Sequence, residues 1–303
     1  MRVFSQQNDG LLIAGANVTA DGLVANDNAF NGVLVAAPSF ELRRSALSGN
    51  GVAAVYSRGR DFRCLSNVIS GNQGFGVLLT FASPAALLAN NVIGLNAAGS
   101  AAWPNRNNGV QIEGDGALFV SNTISGNGIH GLYVIGDNNT LQRNIIGLDA
   151  TGLRAIPNQM QGVYSLGKRT VLLSNIVAGN GVRGVLLSGP DAEISRSLIG
   201  VAFSGVVAVP NGAEGLVIDA ANVTVNGSVI SGNGDAGIFI TPRGINASIA
   251  NCFIGLAANT SVALPNARRR ADPRQSCHVA GQRYCKQSWG RRVGGLAQLP
   301  RVS

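Results

Sequence analysis

The hydrophobic pattern runs in short bursts. Stretches such as GVQIEG at 109–114 and GLYVIG at 131–136 place aliphatic residues two apart and then stop at Gly. Period-two alternation over a few residues, bounded by turn formers, predicts a short half-buried strand. A second run follows near the middle of each stretch (Leu118 to Val120, Val171 to Leu173, Val223 to Val225). A third is the Val-Ile or Ile-Ile pair that precedes Ser-Gly-Asn or Gly-Leu. The runs are too short for helices, and Gly and Asn recur too often to sustain one.

The bursts repeat. SNVISGN at 66–72 returns as SNTISGN at 121–127, SNIVAGN at 174–180 and GSVISGN at 227–233. Asn28, Asn50 and Asn72 are 22 residues apart, as are the pairs Asn105/Asn127, Asn158/Asn180 and Asn211/Asn233. The units between these pairs are longer, 31 or 33 residues, and end in Pro-Asn at 104–105, 157–158, 210–211 and 265–266. A fixed period in this range marks a solenoid. Three short strands and three turns per 22 residues make one rung of a parallel β-helix. One rung cannot bury its own inner face, whereas stacked rungs share an aliphatic core. Ten units from Gln7 to Asn266 predict an all-β rod on the order of 48 Å long at about 4.8 Å per rung.

The Asn before the third strand recurs as Asn67, Asn122, Asn144 and Asn175, with Ser45, Ser197 and Ser228 taking its place elsewhere. Asn91 and Asn251 follow small insertions and are expected in the same slot. Stacked amides can bond along the rod and satisfy turn backbone, so these six Asn are expected to form a structural ladder. The closing Gly-Asn is expected to supply left-handed backbone at low cost.

The pattern N-x-I-S-G-N-x-x-x-G-V-x-L, followed by N-x-I-G and a Pro-Asn, resembles the right-handed parallel β-helix repeat proteins of the pectin-lyase-like superfamily. The resemblance covers Gln7 to Asn266. It implies that fold. For function it implies a range, because the superfamily contains polysaccharide lyases, hydrolases and epimerases as well as adhesins and surface proteins without catalysis.

In enzymes of that superfamily the site lies on the outer face of the first strand, flanked by turn loops. Here the outward residues of that strand run Leu12, Leu34, Tyr56, Leu78, Gln111, Tyr133, Tyr164, Leu186, Val217 and Phe239, and none is charged. Three of the four tyrosines stand in this row. The loop inserts ending at 105, 158, 211 and 266 are expected to rim it. Tyr56, Tyr133, Tyr164 and Phe239 could stack on sugar rings or meet a partner, or the loops could fold over the row and bury it. Catalytic candidates lie in the next turn. Asp115 and Asp137 occupy equivalent positions in adjacent rungs, Lys168 holds that position in the following rung, and Asp191 sits one place further on in the next. Two carboxylates one rung apart suit a retaining glycosidase pair, or Ca²⁺ with Lys168 or the adjacent Arg169 as base for elimination. Asp-Gly and Asp-Asn also occur in such turns for their shape alone. His130, in a turn, is read as a surface residue.

Charge changes the picture at one end only. Of the formal net charge of +8, all comes from residues 267–303, with nine Lys or Arg against Asp272; residues 1–266 hold 14 of each sign. A neutral repeat region excludes a nucleic-acid-binding face. The segment 267–303 has no strand period and is expected to be a disordered basic tail, alternatively an anchor for an anionic polymer or membrane surface. No stretch reaches the ~20 apolar residues of a membrane span. The start, MRVFSQQNDG, lacks the apolar core of a secretory signal, so export by that route would require a start upstream. Cys64 and Cys252 are too far apart to bond, Cys277 and Cys285 could pair, and no zinc spacing occurs. Six sequons, at Asn17, Asn138, Asn222, Asn226, Asn246 and Asn259, lean towards secretion.

The expectation is therefore a non-catalytic extracellular or surface β-helix, binding carbohydrate or a protein partner along its aromatic strand face, without a resident metal or cofactor. The alternative is a polysaccharide lyase, hydrolase or epimerase using Asp115, Asp137, Lys168 and Asp191. A purely structural piece of a larger repeat protein is a third reading.

Overall fold

The computed structural model of the chain describes residues 1–259 and 262–267. The expected tail of 267–303, with Cys277 and Cys285, lies outside the described residues beyond Ala267. Alternating rungs give three parallel sheets. The first has ten strands, from Leu11–Ile13 to Ile238–Ile240; the second has ten, from Thr19–Asp21 to Ser248–Ala250; the third has eleven, from Arg2–Phe4 to Phe253–Ile254. Arg2–Phe4 pairs with Val24–Asn26, so the solenoid takes in residues ahead of Gln7 as a partial rung. Among the described residues no helix is long and apolar enough to cross a membrane.

Every first-sheet strand pairs in the register expected from the repeat, with Val55, Val77, Val110, Leu132 and Val163 in one inward column. These residues are fully buried, as are their counterparts Leu88, Phe119 and Leu141 on the second wall and Ile93, Ile124 and Ile146 on the third. Ser57 and Ser165 interrupt the second inward column of that sheet, the one that contains Leu79, Ile112 and Val134, from inside the core. Each is matched by a second buried hydroxyl, Ser57 by Ser83 at 2.9 Å and Ser165 by Thr170 at 2.7 Å, so neither leaves a buried polar atom unpaired.

The expected Asn ladder exists. Asn67, Asn91, Asn122, Asn144 and Asn175 are at most 1% exposed, and each Nδ2 donates to the Oδ1 of the next at 2.9–3.0 Å. Ser197 and Ser228 carry the column on through their hydroxyls. Asn251 is not part of it. Val229 pairs with Phe253, so the residue level with Ser228 is Cys252. The backbone of Asn251 is left-handed (φ 53°) and its exposed side chain bonds Asn226 on the outside. The insertion before it shifted the slot by one residue.

A second, longer ladder was not expected. The Asn that closes each unit is buried: Asn28, Asn50, Asn72, Asn105, Asn127, Asn158, Asn180, Asn211, Asn233 and Asn266 form one unbroken column with Nδ2···Oδ1 distances of 2.7–3.0 Å. The left-handed backbone of the Gly-Asn pair belongs to the Gly (Gly126 φ 75°, Gly179 φ 70°), and the Asn turns inward.

The long units carry β-hairpins closed by the pairs Leu95/Ala102, Leu148/Ala155, Val201/Ala208 and Leu256/Ala263. They do not rim the first sheet. They lie over the third, where Leu148, Ala178, Ala202 and Val209 pack with Ile176 into a separate small apolar cluster. Each hairpin bonds the next across an intervening short rung, through Ala150 N to Gly99 O (2.8 Å), Phe203 N to Gly152 O (2.9 Å) and Ala258 N to Gly205 O (2.9 Å). The short rung beneath must be glycine at the contact: a Cβ on Gly179 would stand 2.8 Å from the Ala155 Cβ, and one on Gly232 would stand 2.6 Å from that of Ala208. This is the physical content of the recurring Ser-Gly-Asn word.

Asp149 holds one hairpin tip. Its buried carboxylate accepts from the Thr151 hydroxyl (2.6 Å), the Leu153 and Arg154 amides and Arg154 Nε (2.9 Å). Burial alone would raise this carboxyl; the Thr151 and Arg154 side-chain bonds and the two amides outweigh it and hold it well below the usual carboxylate range.

Two predictions follow from this architecture. Asn127→Ala should cost on the order of 2–3 kcal/mol in urea denaturation, because it strands buried partners, whereas Asn251→Ala should cost less than about 1 kcal/mol; equal losses would refute the assignment of Asn251 to the outside. Asp149→Asn should cost on the order of 1–2 kcal/mol at neutral pH. Because the folded pKa is depressed, that contribution is present above about pH 4 and is lost as the pH falls, so the parent and variant unfolding curves should converge in acid.

Candidate functional site

Lying on the third wall, the hairpins do not cover the outer face of the first sheet, although Leu78 and Val217 in its central column are themselves buried. Its central column matches the expected row, residue for residue, from Leu12 to Phe239. The row is not a continuous aromatic platform. Tyr56 stands three pairings from Tyr133, with Leu78 and Gln111 between, and lies under Arg58 at 5.6 Å. Phe239 is three pairings from Tyr164 in the other direction.

Tyr133 and Tyr164 do meet. They are directly paired across adjacent strands, both half-buried, with ring centroids 5.2 Å apart. His130 completes the cluster at 5.7 Å from Tyr133 and 5.6 Å from Tyr164. It is therefore a half-buried member of the site, where the sequence alone suggested a surface turn residue. It sits three residues before Tyr133, in a second outward column that also contains Asn108, Gln161 and Arg183. Its backbone N–H donates to Asn108 Oδ1 (3.1 Å), and its Nδ1 accepts from the Gln161 backbone N–H at 3.3 Å. A neutral ring held this way carries its proton on Nε2. Burial lowers the His130 pKa and so favours that neutral form. Burial, with Tyr164 alongside, raises the Tyr133 phenol.

One rung earlier a polar strip crosses the same face. Asn108 Nδ2 donates to Gln111 Oε1 (3.1 Å), and Gln111 Nε2 donates to Glu113 Oε1 (2.8 Å). One rung beyond His130, Gln161 is 5% exposed, and its Oε1 has no hydrogen-bond partner. Further on, Arg183 is closed on Glu214 at 2.9 Å.

The candidates of the following turn do not converge on this cluster. Asp115 Oδ1 accepts the Asp137 backbone N–H at 2.7 Å, and Asp137 Oδ1 accepts the Lys168 backbone N–H at 2.8 Å. Each carboxylate faces along the stack and caps the turn of the next rung. Asp191 belongs to the neighbouring left-handed column (φ 61°), level with Arg169 and Asn138, and bonds the Asn222 amide. One oxygen of Asp115 and one of Asp137 are thus already taken by backbone. Among the described residues no three His, Cys, Asp or Glu side chains gather as a metal site. Cys64 and Cys252 are buried and unbonded to each other, and burial pushes the Cys64 thiol up to about 12.

Comparison with known proteins agrees with this architecture. A family described as "Periplasmic copper-binding protein (NosD)" matches residues 2–148. Among the described residues His130 is the one His, with the Met160 thioether one rung on and no Cys beside them. No curated protein is significantly similar in sequence. Among solved structures, a double mutant of the periplasmic alginate epimerase AlgG superposes with a TM-score of 0.51 at 16% identity, over 78% of this chain and 51% of that one. The chain thus spans about half of AlgG. The A-module of the Azotobacter vinelandii mannuronan C-5 epimerase AlgE4 superposes with a TM-score of 0.52 at 14% identity, over 88% of this chain and 82% of that one. At such identities the likeness shows the fold alone. The family described as "Right handed beta helix region" matches residues 102–254, just over half of the chain. The chain belongs to the right-handed β-helix family.

Proposed function

We propose that the protein is a periplasmic or extracellular carbohydrate-binding β-helix that holds an extended polysaccharide along the uncovered face of its first sheet. The observation that carries this reading is the half-exposed Tyr133–Tyr164 pair with His130 at its side. Adjacent aromatic rings offer flat apolar surface, while the phenol and imidazole tips offer hydrogen bonds at the edge of each ring. Rungs repeat about every 4.8 Å, close to the advance of one sugar along an extended chain, so neighbouring rungs can address neighbouring residues of a polymer. The fold neighbours named as alginate and mannuronan epimerases, and the family named as periplasmic, support both the ligand class and the compartment.

A second reading is favoured by one feature. A neutral His130 with its free N–H beside two phenols groups proton donors and acceptors suited to a lyase or epimerase acting on the bound chain. In that case His130, Tyr133 and Tyr164 carry the chemistry, in place of Asp115, Asp137, Lys168 and Asp191.

Affinity electrophoresis against a panel of polysaccharides tests the binding reading. At least one polymer should retard the parent, and Tyr133→Ala/Tyr164→Ala should abolish the retardation; a panel that never distinguishes the two proteins would refute it. The cluster itself makes a separate prediction. In an NMR titration His130 should protonate below the ordinary value of about 6.5, and Tyr164→Ala should raise its pKa by admitting water. Stability should correspondingly decline as the pH drops below about 6.5, since protonating the half-buried ring opposes folding.

A further inference from the structure

The charge and hydrogen-bond pattern around the tyrosine pair says which glycans the face accepts. Recognising a uronate carboxylate requires an unpaired cation, best of all an Arg fork, or a cluster of N–H donors. On this face Arg183 is closed on Glu214 at 2.9 Å, Arg243 reaches Asp219 at 3.5 Å, and Arg58, three rungs from Tyr133, lies over Tyr56. In the next turn Lys168 and Arg169 stand among Asp115, Asp137 and Asp191. The charge nearest the tyrosine pair on the polar strip is negative, the Glu113 carboxylate, fixed by Gln111. A polyanion approaching the pair meets this carboxylate first, because Arg106 and Lys168, which form no ion pair among the described residues, stand in the flanking turns and not in the strand that carries the rings.

The same groups suit hydroxyls. Asn108, Gln111 and Glu113 are tied into one strip by bonds of 3.1 and 2.8 Å, which fixes planar amide and carboxylate groups across the face one rung from Tyr133. The second Glu113 oxygen and the remaining amide hydrogens are left to accept from and donate to vicinal hydroxyls. On the other side of the His130 rung, the buried Gln161 has an Oε1 whose bonding capacity is unmet, which a sugar hydroxyl would reach only if that side chain turned outward. Aromatic rings for the apolar face of a pyranose, flanked by ordered acceptors for its edge, are the complement of an uncharged sugar.

Resting on the binding reading above, we infer that this face takes a neutral, hydroxyl-rich polysaccharide, with Asn108, Gln111 and Glu113 as the strip that reads its hydroxyls. A neutral chain lacks the carboxylate that would acidify a ring C–H for elimination or epimerisation, so the inference also favours binding over chemistry. The test uses the full chain at about 0.5 M salt, where screening suppresses contacts made by the basic segment, with a galactomannan and a β-glucan as neutral probes and alginate and polygalacturonate as acidic ones. A neutral polymer should retard the parent. Tyr133→Ala/Tyr164→Ala should abolish that retardation, and Gln111→Ala or Glu113→Ala should weaken it about tenfold while leaving the unfolding curve in place, since both side chains point out of the core. Tyrosine-dependent retardation by the acidic polymers, with none by the neutral ones, would overturn the neutral-glycan inference and leave the binding reading standing. No tyrosine-dependent retardation by any polymer would overturn both.

Discussion

A buried amide must be bonded at both its nitrogen and its oxygen, and in a stacked solenoid a column meets that condition in every rung at once. Two such columns run through this rod, Asn67 to Asn175 on one corner and Asn28 to Asn266 on another. Each amide also serves the backbone of its turn, as when Asn158 Oδ1 takes both the side-chain amide and the backbone N–H of Asn127. The interior is low in dielectric, so a single missing member leaves costly orphans on both sides. Register follows from this. A rung shifted by one residue would pull two amides out of two columns and expose an aliphatic column as well.

The same constraint decides where length can vary. Units of 31 or 33 residues insert their extra chain after the third strand, just before the closing Asn, and the insert folds back as a hairpin so that the Asn still reaches its column. The hairpins then lie over the third wall and stack on one another two rungs apart, with a glycine beneath each. The cover falls on one wall, so the first wall remains free to present side chains. Fold and site are thereby separated: the bore and corners hold the rod, and the outward columns of the first sheet can carry recognition without disturbing it.

Much of this was legible in the sequence, for a definite reason. The strand count, the inward and outward columns and the shorter ladder depend on period and alternation, which a repeat states many times over. What failed to show depends on one residue or one direction. Asn251 was misplaced because an insertion moved the slot onto Cys252, and only strand pairing reveals the shift. The closing Asn looked like turn chemistry because Gly-Asn is a turn dipeptide; its invariance within the chain, even after Pro, was the available sign that the side chain faces inward. The hairpins were sent to the wrong wall because an insert has no period to say which way it folds. His130 was dismissed as a turn residue, yet it stands in the column of Asn108, Gln161 and Arg183, where the following strand aims side chains outward. The acidic turn residues are attractive on spacing alone; what spacing does not show is that one oxygen of Asp115 and one of Asp137 accept a backbone N–H from the next rung.

That last point bears on how chemistry and binding are told apart on this fold. Adjacent rungs always bring like positions within about 5 Å, so any two acids at equivalent positions will imitate a catalytic pair. The distinguishing feature is what their oxygens already hold. Asp115 and Asp137 each give one oxygen to the next turn as a cap, while His130, Tyr133 and Tyr164 keep their outer atoms free. Beside those three, Arg183 is paired with Glu214 and the polar strip ends in a carboxylate, while Lys168 in the following turn forms no ion pair among the described residues. A surface that stabilises developing negative charge on a substrate would invert that arrangement, placing donors and cations where Glu113 stands. On the reading proposed above, the face lies against hydroxyls, and the Glu113 carboxylate makes the rung beside Tyr133 a poorer place to generate an anion than to hold a neutral chain.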